Sequence, residues 1–146
     1  MHLTQRDIMR PVVGVATLYI RLEEGTMLLA ERLKGKCRGF MNCPGGHLEW
    51  GESFEQCAIR ESKEEADITL KRVEFLTAAN GLKLDENHHY VMIYMLAKEW
   101  EGEARQMEDA NGPWDWYKIP GPEGRMLPTT LIALCRYLEL RRQLQE

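Results

Sequence analysis

Four glutamates, Glu52, Glu61, Glu64 and Glu65, share residues 45–68 with a glycine pair and Arg60, and no other stretch combines glycines, a helix start and clustered carboxylates. Ser53 followed three residues later by Gln56 is a capping-box pattern, which predicts a helix from Ser53 to about Ala66. On an ideal helix Glu61, Glu64 and Glu65 all fall within about 80° of Phe54, on the side that carries Cys57 and Ala58. A merely solvated acidic cluster belongs on the opposite side, where Lys63 sits. Two carboxylates about 5 Å apart repel by about 3 kcal/mol at an effective dielectric near 20. An exposed Arg60–Glu64 pair at i,i+4 returns only about 0.3–0.5 kcal/mol. A stronger positive charge is therefore required. Oxygen ligands without His or Cys suit Mg²⁺ or Mn²⁺ rather than Zn²⁺, and Mg²⁺ is commonly shared between carboxylates and substrate phosphates. The stretch thus points to a polyphosphate.

The spacing Gly46, five residues, Glu52, seven residues, Arg60-Glu61, then Glu64-Glu65 resembles the nudix box, G-x5-E-x7-R-E-U-x-E-E-x-G-U with U apolar. Ser62 and Asp67 depart from it, standing where the family has an apolar residue and a glycine; neither departure removes a carboxylate. The resemblance implies one nudix hydrolase domain over 1–146, folded as an α/β/α sandwich with a mixed central sheet. It implies Mg²⁺, with Mn²⁺ as a substitute, held by the Gly45 carbonyl, Glu61, Glu64 and Glu65. Arg60 would orient the glutamates and Glu61 would act as base. Glu108 and Asp109 lie in a loop where the family often places a further carboxylate, and their other reading is solvent-exposed acids.

Further segments, 44–53, 64–66, Asn80, 89–91 and 114–116, are similar to nudix type 15-like (MutT-type) nucleotide triphosphate diphosphatases. That similarity implies hydrolysis of (deoxy)nucleoside triphosphates, modified ones among them, to the monophosphate and pyrophosphate, by a homodimer. Other nudix substrates, namely ADP-ribose, a dinucleoside polyphosphate or an RNA cap, remain open, as does a catalytically idle nucleotide-sensing module. Arg32 is, by resemblance, a phosphate or base contact. Gly46 and His47 lie in the substrate loop, where His47 is either a phosphate contact or a structural hydrogen-bonding group. Asn42 offers an amide that reads a base edge. Trp114 offers an aromatic face for a base, with filling of the core as its other reading.

The elements that position these residues follow from pattern. Residues 11–22 and 27–32 read as paired antiparallel strands around a turn at 23–26, and 40–43 as a short strand delivering Gly45 and Gly46. Residues 34–39, basic and glycine-containing, read as a solvated loop or as one that attracts phosphates. Two further strands are expected at 73–79 and 89–97, another at 114–117, and a closing helix at 129–145. With 146 residues, 44% of them hydrophobic, the chain is long enough for one real core. A net charge of -4 argues against gripping duplex nucleic acid through its phosphates. The four cysteines lack CxxC spacing, so reduced thiols are expected. The polar first ten residues and the lack of a long apolar run lead us to expect a cytoplasmic protein without a membrane span.

Overall fold

A computed structural model describes residues 10–35, 37–85 and 88–145. The segment before Arg10, position 36 of the expected loop at 34–39, and residues 86–87 lie outside the described residues. β1 (Val12–Leu18) runs parallel to β7 (His88–Glu101) and antiparallel to β5 (Gly45–His47), while β6 (Thr69–Asp85) is antiparallel to β7. The order β5-β1-β7-β6 is thus a mixed sheet. β2 (Ile20–Arg21), β3 (Thr26–Glu31) and β4 (Met41–Asn42) form a second, antiparallel group, with β8 (Asp115–Lys118) also on β3. The helices are α1 (Phe54–Ala66) and α2 (Pro128–Gln145).

The period-2 geometry of strands sorts the core into two clusters. Val15, Leu28, Ala30, Ile93 and Met95 pack with Cys57, Ala58 and Ala66 of α1. Their neighbours in sequence, Ala16, Met27, Leu29 and Tyr94, pack with Ala133, Leu134 and Tyr137 of α2. β1 and β3 are covered on both faces, which is why they are almost continuously apolar instead of alternating. The result is the α/β/α sandwich that the motif implied.

One pairing departs from the sequence reading. The two N-terminal strands pair only through Ile20–Met27 and Arg21–Thr26. β1 itself belongs to the other sheet, because β5 and β7 already occupy its two edges. Trp114 also stands outside its expected strand, since β8 begins at Asp115. Both departures from the nudix box have local causes. Ser62 is buried, and its Oγ accepts a 2.6 Å hydrogen bond from the Tyr19 hydroxyl, so a polar side chain is satisfied there. Asp67 ends α1 in the left-handed region, at φ 55°.

Candidate active site

α1 starts where the capping box places it. The Ser53 Oγ accepts from the Gln56 N–H at 3.1 Å, and the Gln56 side chain accepts from the Ser53 N–H at 2.8 Å. The helix then lies against β5, where the two glycines are sterically required. A Cβ on Gly46 would stand 2.4 Å from the Glu61 carboxyl carbon, and one on Gly45 would stand 2.4 Å from the Val15 carbonyl oxygen. Glycine thus lets a carboxylate and a neighbouring strand approach the loop backbone.

Arg60 gathers most of the acids. Its Nε and Nη2 grip Glu52 at 2.7 and 3.0 Å, a bidentate pair that holds the Glu52 carboxyl down at about 2. Its Nη1 donates to Glu61 at 2.7 Å and to Glu64 at 3.2 Å, and Nη2 donates to the His47 carbonyl at 3.1 Å. Glu49 stands 3.6 Å from the same Nη1.

Glu65 is excluded from this arrangement. It is 8% exposed, and its Oε2 accepts only from the Gly45 N–H, at 3.3 Å, among the hydrogen bonds of the described residues. Burial, helped by repulsion from Glu61 and Glu108, pushes its carboxyl up to about 8. Burial also raises Glu61, against the pull of Arg60. Among the described residues no three His, Cys, Asp or Glu side chains already converge as a ligand set, because Arg60 draws Glu61 and Glu64 to its guanidinium. A hard cation nevertheless fits this donor set. Glu61 and Glu65 are buried all-oxygen donors, Glu65 feels the charge of Glu61, both feel that of Glu108, and Glu65 has no cationic partner among the described ion pairs.

A cavity opens beside Glu65. Arg32, Asn42, Gly45, Gly46 and His47 are among the residues that line it, so the structure brings these sequence-selected residues together with Glu65. Glu61 and Glu64 stand in the Arg60 network behind them. Glu108 lies within electrostatic reach of Glu61 and Glu65. Asp109 does not join them; it is almost fully exposed and faces Lys34 at 3.9 Å.

Trp114, considered for base stacking, is not among the residues that line the cavity beside Glu65. The side chain is 8% exposed, packs in the α1-side core and donates its indole N–H to the Glu65 carbonyl at 3.0 Å. This burial fits the core-filling reading, and Trp114 borders a different cavity together with Trp100 and Trp116. Glu64 also differs from expectation, with half its side chain in solvent at the edge of the helix face that Glu61 and Glu65 bury.

Sequence reasoning missed other residues in the cavity wall and the partner that holds Asn42. Asn111 is buried and accepts from Asn42 Nδ2 at 3.0 Å, while its carbonyl accepts from Gln106 at 2.8 Å. Next to Gly112 it reads as an ordinary turn residue, and nothing local distinguishes it. In the cavity wall the Tyr94 hydroxyl meets Thr129 and Thr130 at 2.8 and 2.9 Å. Tyr90 and Met92 complete the wall, with the Tyr90 hydroxyl 3.4 Å from His47 Nε2.

A capped helix bearing Arg-Glu-x-x-Glu-Glu, laid against a Gly-Gly strand inside an α/β/α sandwich, defines the nudix class of protein. Residues 10–121 match the NUDIX domain model, and the chain belongs to that family, with MutT-type members among its relatives. It is 29% identical to a MutT NUDIX hydrolase from Burkholderia pseudomallei, with a TM-score of 0.79 covering 87% of this chain and 98% of that one. It is 28% identical to the ADP-ribose pyrophosphatase of Methanocaldococcus jannaschii over 105 residues, 72% of this chain and 61% of that protein. It is 29% identical to the oxidized purine nucleoside triphosphate hydrolase of Danio rerio over 105 residues, 71% of this chain and 67% of that one. The chain therefore spans about three fifths to two thirds of these two relatives. Among the described residues no helix is long and apolar enough to cross a membrane.

Proposed function

We propose that the chain is a Mg²⁺-dependent nucleoside triphosphate diphosphatase that releases a nucleoside monophosphate and pyrophosphate. The observation that carries this reading is the buried Glu65, which has no ion-pair partner among the described residues, at the edge of a cavity whose wall also carries Arg32, the Asn42 amide, the Thr129 and Thr130 hydroxyls and the Tyr90 and Tyr94 rings. One end of that cavity suits phosphates and metal, and the other a nucleoside. Gly45, Glu61, Glu64 and Glu65 would hold Mg²⁺, which when bound supplies charge neutralisation at the phosphate oxygens. Arg32 and His47 would steady the phosphates, while Arg60 keeps Glu61 and Glu64 aimed. Glu61, with Glu108 behind it, would accept the proton of the attacking water as the new P–O bond forms and pyrophosphate leaves.

The similarity to an ADP-ribose pyrophosphatase supports a second reading, in which the substrate is another nucleoside diphosphate derivative. A product screen over nucleoside triphosphates, their oxidised-base forms, ADP-ribose and dinucleoside polyphosphates, run with Mg²⁺ and with EDTA, tests both. Pyrophosphate release from triphosphates that EDTA stops is expected. Turnover of ADP-ribose alone would overturn the first reading, and absence of any turnover would leave a binding module.

A further inference from the structure

The last carbonyls of α1 reveal what holds Glu65 in place. A helix leaves its final four C=O groups without intrahelical donors. Here the chain turns at Asp67, whose N–H reaches the Lys63 carbonyl at 3.2 Å, and the Ile68 N–H reaches that of Ser62 at 3.3 Å. The Ala66 carbonyl accepts from the Arg105 N–H at 2.9 Å. The Glu65 carbonyl accepts from a side chain, the Trp114 indole, at 3.0 Å. Glu65 is thus fixed at both ends, its backbone by Trp114 and its carboxylate by the Gly45 N–H. Glu64, one residue earlier, points outward to Arg60 and solvent.

We infer that Trp114 is a positioning residue for metal binding: its indole N–H sets the last turn of α1 so that the Glu65 carboxylate is presented to the cation. This rests on the reading of Glu65 as a metal ligand. The indole N–H is a donor fixed in the ring plane, and the ring is buried in the same core cluster as Ala58, Ala66 and Ile68. Displacing Trp114 therefore displaces the carbonyl it holds. A free carbonyl at that point lets the last helical turn open, and Glu65 moves with it.

The test is direct Mn²⁺ binding, read by the free-ion electron paramagnetic resonance signal, on wild type, Trp114→Phe, Trp100→Phe and Glu65→Gln. Trp114→Phe keeps a ring in the core but has no N–H. It should weaken Mn²⁺ roughly 3- to 10-fold, the worth of one net hydrogen bond. Trp100 stacks on Trp116 and meets Tyr19 edge-on, so Trp100→Phe should lower the melting temperature without moving the Mn²⁺ constant. Wild-type affinity in Trp114→Phe, with Glu65→Gln weakened, would overturn the positioning role while leaving the metal reading intact. No effect of Glu65→Gln would overturn the metal reading and, with it, the inference. Should Trp114→Phe fail to fold, the wild-type indole N–H resonance of Trp114 decides. A shift that tracks Mg²⁺ saturation supports the inference, and an unmoved resonance overturns it.

Discussion

The two ends of the cavity are built in opposite ways. The carboxylate end comes from one run of sequence, residues 45–65, in which a strand, a loop and a helix face follow each other, and Arg60 holds its charged groups other than Glu65. The other end is assembled from Asn42 on β4, which Asn111 holds from a loop, Tyr90, Met92 and Tyr94 on β7, and Thr129 and Thr130 at the start of α2. It carries no formal charge from those residues. The first end is organised to manage charge and the second to match shape and hydrogen bonds. Substitutions at the two ends should therefore fail differently.

The largest expected effect is at the carboxylate end. Glu64→Gln and Glu65→Gln each keep the side chain's shape while removing a charge. Each should lower kcat by at least about 10²-fold, in line with the loss of a catalytic or metal-binding carboxylate. A steady-state assay at saturating Mg²⁺ checks this. Near-normal kcat in Glu64→Gln would confine the metal to the buried pair and leave Glu64 as a partner of Arg60 only.

At the other end Asn42→Ala should raise KM roughly 3- to 10-fold for a nucleotide whose base edge it reads, with a smaller change in kcat. The ground and transition states hold the base alike, and about one hydrogen bond is lost. Asn111→Ala should act in the same direction by releasing the Asn42 amide. Unequal KM changes across bases would identify which base the pair selects. A fall in kcat at unchanged KM would break the division between the two ends.

That division also explains what was legible in the sequence. Spacing betrays a site whose residues are consecutive, because a helix repeats every 3.6 residues and a capping box fixes its start. Gly45, Gly46, Arg60 and the glutamates were readable for that reason. Asn111 and Thr129 become neighbours of the cavity only through sheet pairing and helix docking, and neither leaves a periodic trace. The surroundings of Trp114 were illegible for a related cause. The alternation of Trp114 and Trp116 suggested that one ring faces a ligand, but the strand starts one residue later, and Trp114 packs under α1. The α/β/α layering was recoverable from the motif. The split of residues 11–22 between two sheets was not, because β1 and β2 are separated only by the buried Tyr19.

A smaller effect concerns pH. The folded metal-free protein holds the Glu65 proton to about 8, against about 4.5 for the unfolded chain. The folded state therefore binds this proton more tightly, and its advantage is complete below the unfolded value. Stability from this group is lost as pH rises from about 4.5 to about 8 and changes little above that. In EDTA, Glu65→Gln should melt a few degrees above wild type at pH 8 and close to it at pH 5. Added Mg²⁺ should narrow the gap at pH 8 by stabilising the charged wild-type side chain. A gap of the same size at both pH values would mean that Glu65 is not held protonated by its surroundings.

The smallest expected effect is at Asp67, which belongs to the contiguous end yet departs from the family pattern. Its backbone at φ 55° favours glycine, so Asp67→Gly relieves a left-handed conformation that a side chain resists. Against this, Asp67 pairs with Lys63 at 2.8 Å and stands 3.6 Å from Arg105, and both pairs are lost in the variant. Lys63 also holds the Asp67 carboxyl below its ordinary value, so the pairing contributes above the unfolded pKa and disappears as pH falls through the folded one. These ion pairs are exposed and screened by salt, whereas the backbone relief is not. The variant should therefore melt within a degree or two of wild type at low salt and move upward relative to it in 1 M NaCl, with kcat unchanged throughout. An unchanged difference between low and high salt would mean that the two pairs contribute nothing. A drop in kcat would mean that the end of α1 transmits to Glu65 through Asp67, and the charged end of the cavity would then extend one turn further than its carboxylates.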